Sequence, residues 1–150
     1  MMKRLLICIL AALPLLFASC EKKNDTSVDN PKSDIGVEWI VYENNGENYA
    51  PCMIFQDGNL LCSGDNSYTW DAWVSDFGQV NSLKEVNSVP SDWKKSIKIQ
   101  IGHGYVFKYH QSYITGYVYS RIRVLEHIDK GSVTGYRIRF QDEWDPLRDE

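Results

Sequence analysis

From residue 35 onward the apolar positions fall in short runs, rich in Val, Ile, Tyr, Phe and Trp and separated by glycine-containing turn signals. No stretch of a dozen residues carries a helical period, so the pattern predicts strands. The clearest are VEWIVY (37–42), CMIF (52–55), IKIQI (97–101), YVFKY (105–109), YVYSRIRVLEHI (117–128) and VTGYRIRF (133–140). Residues 82–96 leave room for a short helical turn, and Pro90 prevents a long one. The expected fold is all-β: a small antiparallel sandwich or a partly open barrel, without internal repeats.

Two hairpins allow a register to be read. In PCMIFQDGNLLC (51–62), a three-residue QDG loop with Gly58 in the left-handed position sets Cys52 opposite Cys62. A tighter DG loop shifts the pairing by one and sets Cys52 against Ser63. The first register predicts a Cys52–Cys62 disulfide in an oxidising compartment; two buried free thiols are the alternative. A metal site is not expected, because the spacing is not C-x₂₋₄-C and no His lies nearby. If DKG (129–131) turns the second hairpin, Val124, Ile122 and Ser120 meet Tyr136, Ile138 and Phe140. The other face then opposes Arg123 to Arg137 and Arg121 to Arg139. Such a ladder either recruits an anionic ligand or is neutralised by Glu126, Asp142, Glu143 or acids on a neighbouring strand.

Before residue 35 the pattern changes. MMKRLLICILAALPLLFASC has a basic start, an apolar stretch over 5–17 and small residues before Cys20, the layout of a secretory signal. That stretch is too short to span a bilayer, which takes roughly 20 residues as a helix. Its end, FASC, resembles the lipobox of bacterial lipoproteins. The resemblance implies cleavage after residue 19 and a diacylglyceryl thioether and amide-linked acyl chain on Cys20. Two or more chains hold a protein stably at a membrane. Residues 20–34, polar and nearly free of apolar side chains, read as a flexible tether. The expected organisation is thus a signal peptide (1–19), a lipidated tether (20–34), one β domain (35–144) and a polar tail (145–150).

Charge narrows the partners. The full chain has a formal charge of −4, and loss of Lys3 and Arg4 with the signal makes the remainder more acidic. Nucleic acid is therefore not an expected partner, since that affinity rests on neutralising phosphates. The segment SYTWDAWVSDFG (67–78) gathers Tyr68, Trp70, Trp73 and Phe77 beside acids. These aromatics either fill the core or form a platform for sugar rings, with Tyr68, Trp70 and Trp73 as candidate contacts. His103 stands between two glycines in IGHGYVF, a bulge or close-approach signal in a strand context. No nucleophile is spaced for it to activate, and neither catalysis nor a cofactor is expected.

The run FGQVNSLKEVNSVPSDWKKSIKIQIGHGYVFKY followed by YSRIRVLEHIDKGSVTGYRIRFQ resembles a family of uncharacterised Bacteroides-type lipoproteins. Gly78, Val80 and Leu83, then Val89, Pro90 and Trp93, then Gly102 to Val106 carry the likeness, over roughly residues 77–141. The closing DKGS turn departs from the Ser/Thr-Gly-Gly of the family. The resemblance implies a lipid-anchored place in the bacterial cell envelope, with the outer membrane expected and either of its faces open. It implies no catalytic residue. The expected function is a non-catalytic binding module, for glycan, or else an accessory subunit that docks an envelope protein.

Overall fold

The computed structural model describes residues 34–45, 47, 49, 52–63 and 69–148. The leader, Cys20 and Tyr68 lie outside the described residues, as does the side chain of Trp70.

The fold is all-β. Strands β1 (Val37–Tyr42), β2 (Met53–Gln56), β3 (Asn59–Cys62), β4 (Thr69–Gln79), β5 (Ser96–Lys98), β6 (His103–Gln111), β7 (Val118–Asp129) and β8 (Thr134–Gln141) form two antiparallel sheets. One has the order β1-β8-β7-β6-β4 and the other β2-β3-β5. They do not close into a barrel, which leaves the sandwich of the two expected architectures. The expected helical turn is a three-residue 3-10 turn, Leu83–Glu85.

The five-stranded sheet is apolar on both faces over part of its area. Its inner face meets the small sheet through Val41, Val74, Tyr105, Phe107, Ile122, Val124, Ile138 and Phe140, packed with Met53, Phe55 and Leu60. On the outer face, the chain that follows β4 lays Val80, Leu83 and Val86 over Val106, and Trp144 closes this second core. Asp34 ties the start of the domain to it, accepting hydrogen bonds from Ile35 N at 2.9 Å and Leu83 N at 2.8 Å.

The β2–β3 hairpin takes the tighter turn. Asp57 and Gly58 both have positive φ, 50° and 73°, the two-residue geometry whose twist matches the flanking strands. Met53 consequently pairs with Cys62, and Ser63 N donates to Cys52 O at 3.0 Å. The expected opposition of Cys52 and Cys62 is corrected, and both are free thiols in this structure.

The β7–β8 register is also corrected. Asp129 pairs with Thr134, a longer connection than DKG, and a bulge between Val124 and Glu126 takes back one residue. The turn displaces the pairing by three and the bulge returns it to two, so each side chain keeps its expected face. Val124 meets Ile138 and Ile122 meets Phe140, while Arg123 and Arg139 form the one directly opposed pair among the four arginines. Arg121 pairs with Gln141, and Arg137 with Glu126.

Strand β4 is absent from the expected set because two irregularities hide its alternation. Asp71 and Ala72 together bridge the step between the Trp70–His110 and Trp73–Lys108 pairs, and a second shift follows Asp76. Bulges of this kind re-aim side chains. Here the first one turns Trp73 to the outer face beside Lys108, while Ala72 and Val74 are buried in the inner core.

Candidate functional site

The arginines anticipated as a ligand ladder are engaged by the protein itself. Arg121 is 1% exposed; its Nη1 donates to Val86 O at 2.6 Å, its Nε to Gln141 Oε1 at 2.8 Å, and its guanidinium lies 4.6 Å from the Trp144 ring centre. Arg123 Nε donates to Val80 O at 3.1 Å. Arg139 faces Asp34 at 3.5 Å and Glu38 at 3.3 Å, and Arg137 is held by Glu38 at 2.7 Å and Glu126 at 2.8 Å. The neutralising acids are Glu126 within the hairpin, Glu38 on the neighbouring strand β1, and Asp34. These guanidiniums fasten the 80–86 segment and strand β1 to the sheet.

A different cationic group stands on the same outer face, nearer β4. Lys108 lies opposite Trp73 and Tyr119 across its two neighbouring strands. Its Nζ is 4.4 Å from the Trp93 ring centre and 5.1 Å from those of Trp73 and Tyr117. Lys95 approaches Trp73 more closely, at 3.9 Å, and donates to Ala72 O at 2.8 Å. Tyr117 is edge-on to Trp73 at 6.1 Å and to His110 at 6.2 Å. Among the described residues neither Lys95 nor Lys108 has a carboxylate partner, whereas Lys94 is paired with Asp92 at 2.9 Å. Ammonium groups over aromatic faces gain about 0.5–2 kcal/mol each, more as water is excluded. The rings thus hold two positive charges in place without neutralising them.

This arrangement changes the aromatic expectation. Trp73 is half-buried with Lys95 over its ring, so it is no open sugar platform. No described tryptophan side chain is exposed: Trp39, Trp73 and Trp93 are half-buried, and Trp144 belongs to the outer core. Of the rings around these lysines, Tyr117 is the exposed one, 46% accessible, and it also lines a cleft of about 470 Å³ with Ile114, Tyr119, Trp144 and Leu147. Lys95, Lys108, Trp93 and Tyr117 were not legible as a group, since Lys108 lies on β6, Trp93 and Lys95 in the segment before β5, and Tyr117 just before β7. The one local signal was Lys108 inside YVFKY, a charge at a position whose neighbours are core residues.

Comparison with protein-family models, with curated proteins and with solved structures finds no match.

His103 is explained by packing. Its Nδ1 lies 3.0 and 3.1 Å from the two Asp76 oxygens, and Asp76 also accepts Gly78 N at 2.8 Å. The pair clips the start of β6 to the bulged end of β4. Of the flanking glycines, Gly102 takes a positive φ of 83° in the turn, and a Cβ on Gly104 would strike Val86 Cγ2 and meet Val80 Cγ2 at 3.2 Å. Neither the Tyr117 cleft nor a second cleft of about 630 Å³ beside Tyr42, Lys130 and Val133 contains His103. Among the described residues, no three or more His, Cys, Asp or Glu side chains gather to hold a metal.

Proposed function

We propose that the chain is a lipid-anchored, non-catalytic binding module of the bacterial cell envelope that takes acidic glycans on the Lys95–Lys108–Tyr117 face. The placement rests on the signal and lipobox pattern ending at Cys20. The ligand class rests on one observation: two lysine ammoniums held against Trp73, Trp93 and Tyr117 with no carboxylate partner among the described residues. A sugar carboxylate or sulfate meets that charge, and the exposed Tyr117 ring offers a surface for the pyranose. In a chain of net negative charge, such a local excess favours an anion over other ligands.

The test is a thermal-shift comparison of the chain from residue 21 onward with heparin, polygalacturonate and dextran. A ligand that binds only the folded state raises the melting temperature. Both acidic polymers should do so, dextran should not, and Lys108→Glu should remove the effect. Stabilisation by dextran, or an unchanged response in Lys108→Glu, rejects the reading. A second reading, docking of a protein partner, draws on the apolar rim of the Tyr117 cleft, where Ile114 and Leu147 are 36% and 89% exposed. Stabilisation by none of the polymers favours it.

A further inference from the structure

The turn that leads into β2 brings two thiols into one corner of the core. Tyr49 and Met53 exchange backbone hydrogen bonds, N to O at 2.8 Å and 2.9 Å, so Cys52 sits in the turn between them and outside the β2–β3 ladder. Strand alternation therefore does not send its side chain away from that of Cys62. Cys52 is fully buried in the core between the sheets, and Cys62, half-buried, packs against that core. The main chain is clamped at the same step by the Ser63 N to Cys52 O hydrogen bond of 3.0 Å. The thiols themselves are hydrogen-bonded, and that bond, followed by burial, pushes the Cys62 thiol above its ordinary range.

We propose that Cys52 and Cys62 are a redox pair that an external disulfide closes to an internal one, with Cys62 reacting first. The Cys62 thiolate attacks one sulfur of the oxidant, forming a mixed disulfide and releasing one oxidant thiolate. Cys52, deprotonated, then attacks the Cys62 sulfur and expels the second oxidant thiolate. The two cysteines are oxidised by two electrons, the oxidant is reduced to two thiols, and two protons are lost to solvent or to those thiolates. The order follows from access, because, of the two thiols, Cys62 keeps some exposure while Cys52 is enclosed. The scarcity of Cys62 thiolate makes closure slow near neutrality and faster by about tenfold per pH unit in the alkaline direction. Closure also secures the lead into β5, because Cys62 N donates to Lys95 O at 2.9 Å. The pairing stands independently of any ligand at Lys95.

The experiment uses the full chain in detergent, reduced and then exposed to oxidised glutathione, with N-ethylmaleimide trapping over time and peptide mapping. The expected result is a glutathione adduct on Cys62 that decays into a linked Cys52–Cys62 peptide, and a lasting adduct on Cys62 in Cys52→Ala. In Cys62→Ala, Cys52 should remain unmodified until urea is added. Both cysteines still alkylated in the wild type after oxidation overturns the pairing. An adduct on Cys52 that appears as fast as that on Cys62 overturns the order. Should Cys52→Ala fail to fold, the time course of the wild type decides both points by itself.

Discussion

Replacing Arg121 by methionine separates a structural guanidinium from a ligand-binding one. Arg121 is the one charged residue among the described buried set, and Val86 O, Gln141 Oε1 and the Trp144 ring are among the groups that converge on it. Methionine keeps most of the stem volume, so little cavity is created, and the cost falls on the polar contacts. An acceptor left without its buried donor costs about 1–3 kcal/mol, in full for Val86 O and less for Gln141, which can turn to water. Loss of the stacked cation adds about 1–2 kcal/mol. Relief from burying a charge offsets part of this. The net expectation is a loss of about 2–4 kcal/mol, which at roughly 3–5 °C per kcal/mol for a domain of this size lowers the melting temperature by roughly 10 °C. Urea unfolding followed by tryptophan fluorescence measures it. The control is Arg137→Met, which removes the half-exposed guanidinium held by Glu38 and Glu126 and should leave the midpoint nearly unchanged. If Arg121→Met unfolds at the wild-type midpoint, or if Arg137→Met falls as far, the assignment of the buried arginine to the outer core is wrong.

Gly104→Ala should destabilise by about 1–3 kcal/mol through overpacking against Val86 and Val80, read as a lower urea midpoint; an unchanged midpoint would remove the packing account of the GHG motif. Burial pushes Tyr105 and Tyr136 up to about 12, with Asp76 and Glu43 respectively adding to the shift. In the unfolded chain these phenols ionise near pH 10. The unfolded state therefore sheds protons first, and their contribution, complete below about pH 10, is lost as pH rises toward about 12. Tyrosinate absorbance and near-UV circular dichroism should change together in that window, and a tyrosine titration complete by pH 10.5 with the fold intact would contradict this.

The sequence and the structure agree best where alternation is strict. In β7 and β8 the apolar residues Ile122, Val124, Tyr136 and Ile138 face the core as expected, although their partners differ by two positions beyond the bulge. Parity survives because a longer turn and a bulge displace the chain in opposite directions. No such compensation acts in the β2–β3 hairpin, where the choice between QDG and DG turns changes the partner of Cys62 outright. The choice depends on local twist, which both loops satisfy on paper. The site was less legible than the fold. The arginines advertise their charge in alternate positions of two strands, but Asp34 and Glu38, far away in sequence, absorb it. Lys95 precedes β5 and Lys108 lies within β6, and only tertiary packing brings them around Trp73.

The first bulge in β4 gives that strand one place where its length is free to change. His110 and Lys108, the partners of Trp70 and Trp73, are two residues apart on β6, so Asp71 and Ala72 share the space opposite Tyr109. Deleting Asp71, which is exposed and has a positive φ of 52°, would restore simple alternation with Trp73 still opposite Lys108 and Val74 still in the inner core. The same deletion within the regular pairs from Trp73 to Asp76 would move every later side chain to the other face. In divergent copies of this domain, single-residue differences in the length of this strand should therefore collect at residues 71–72.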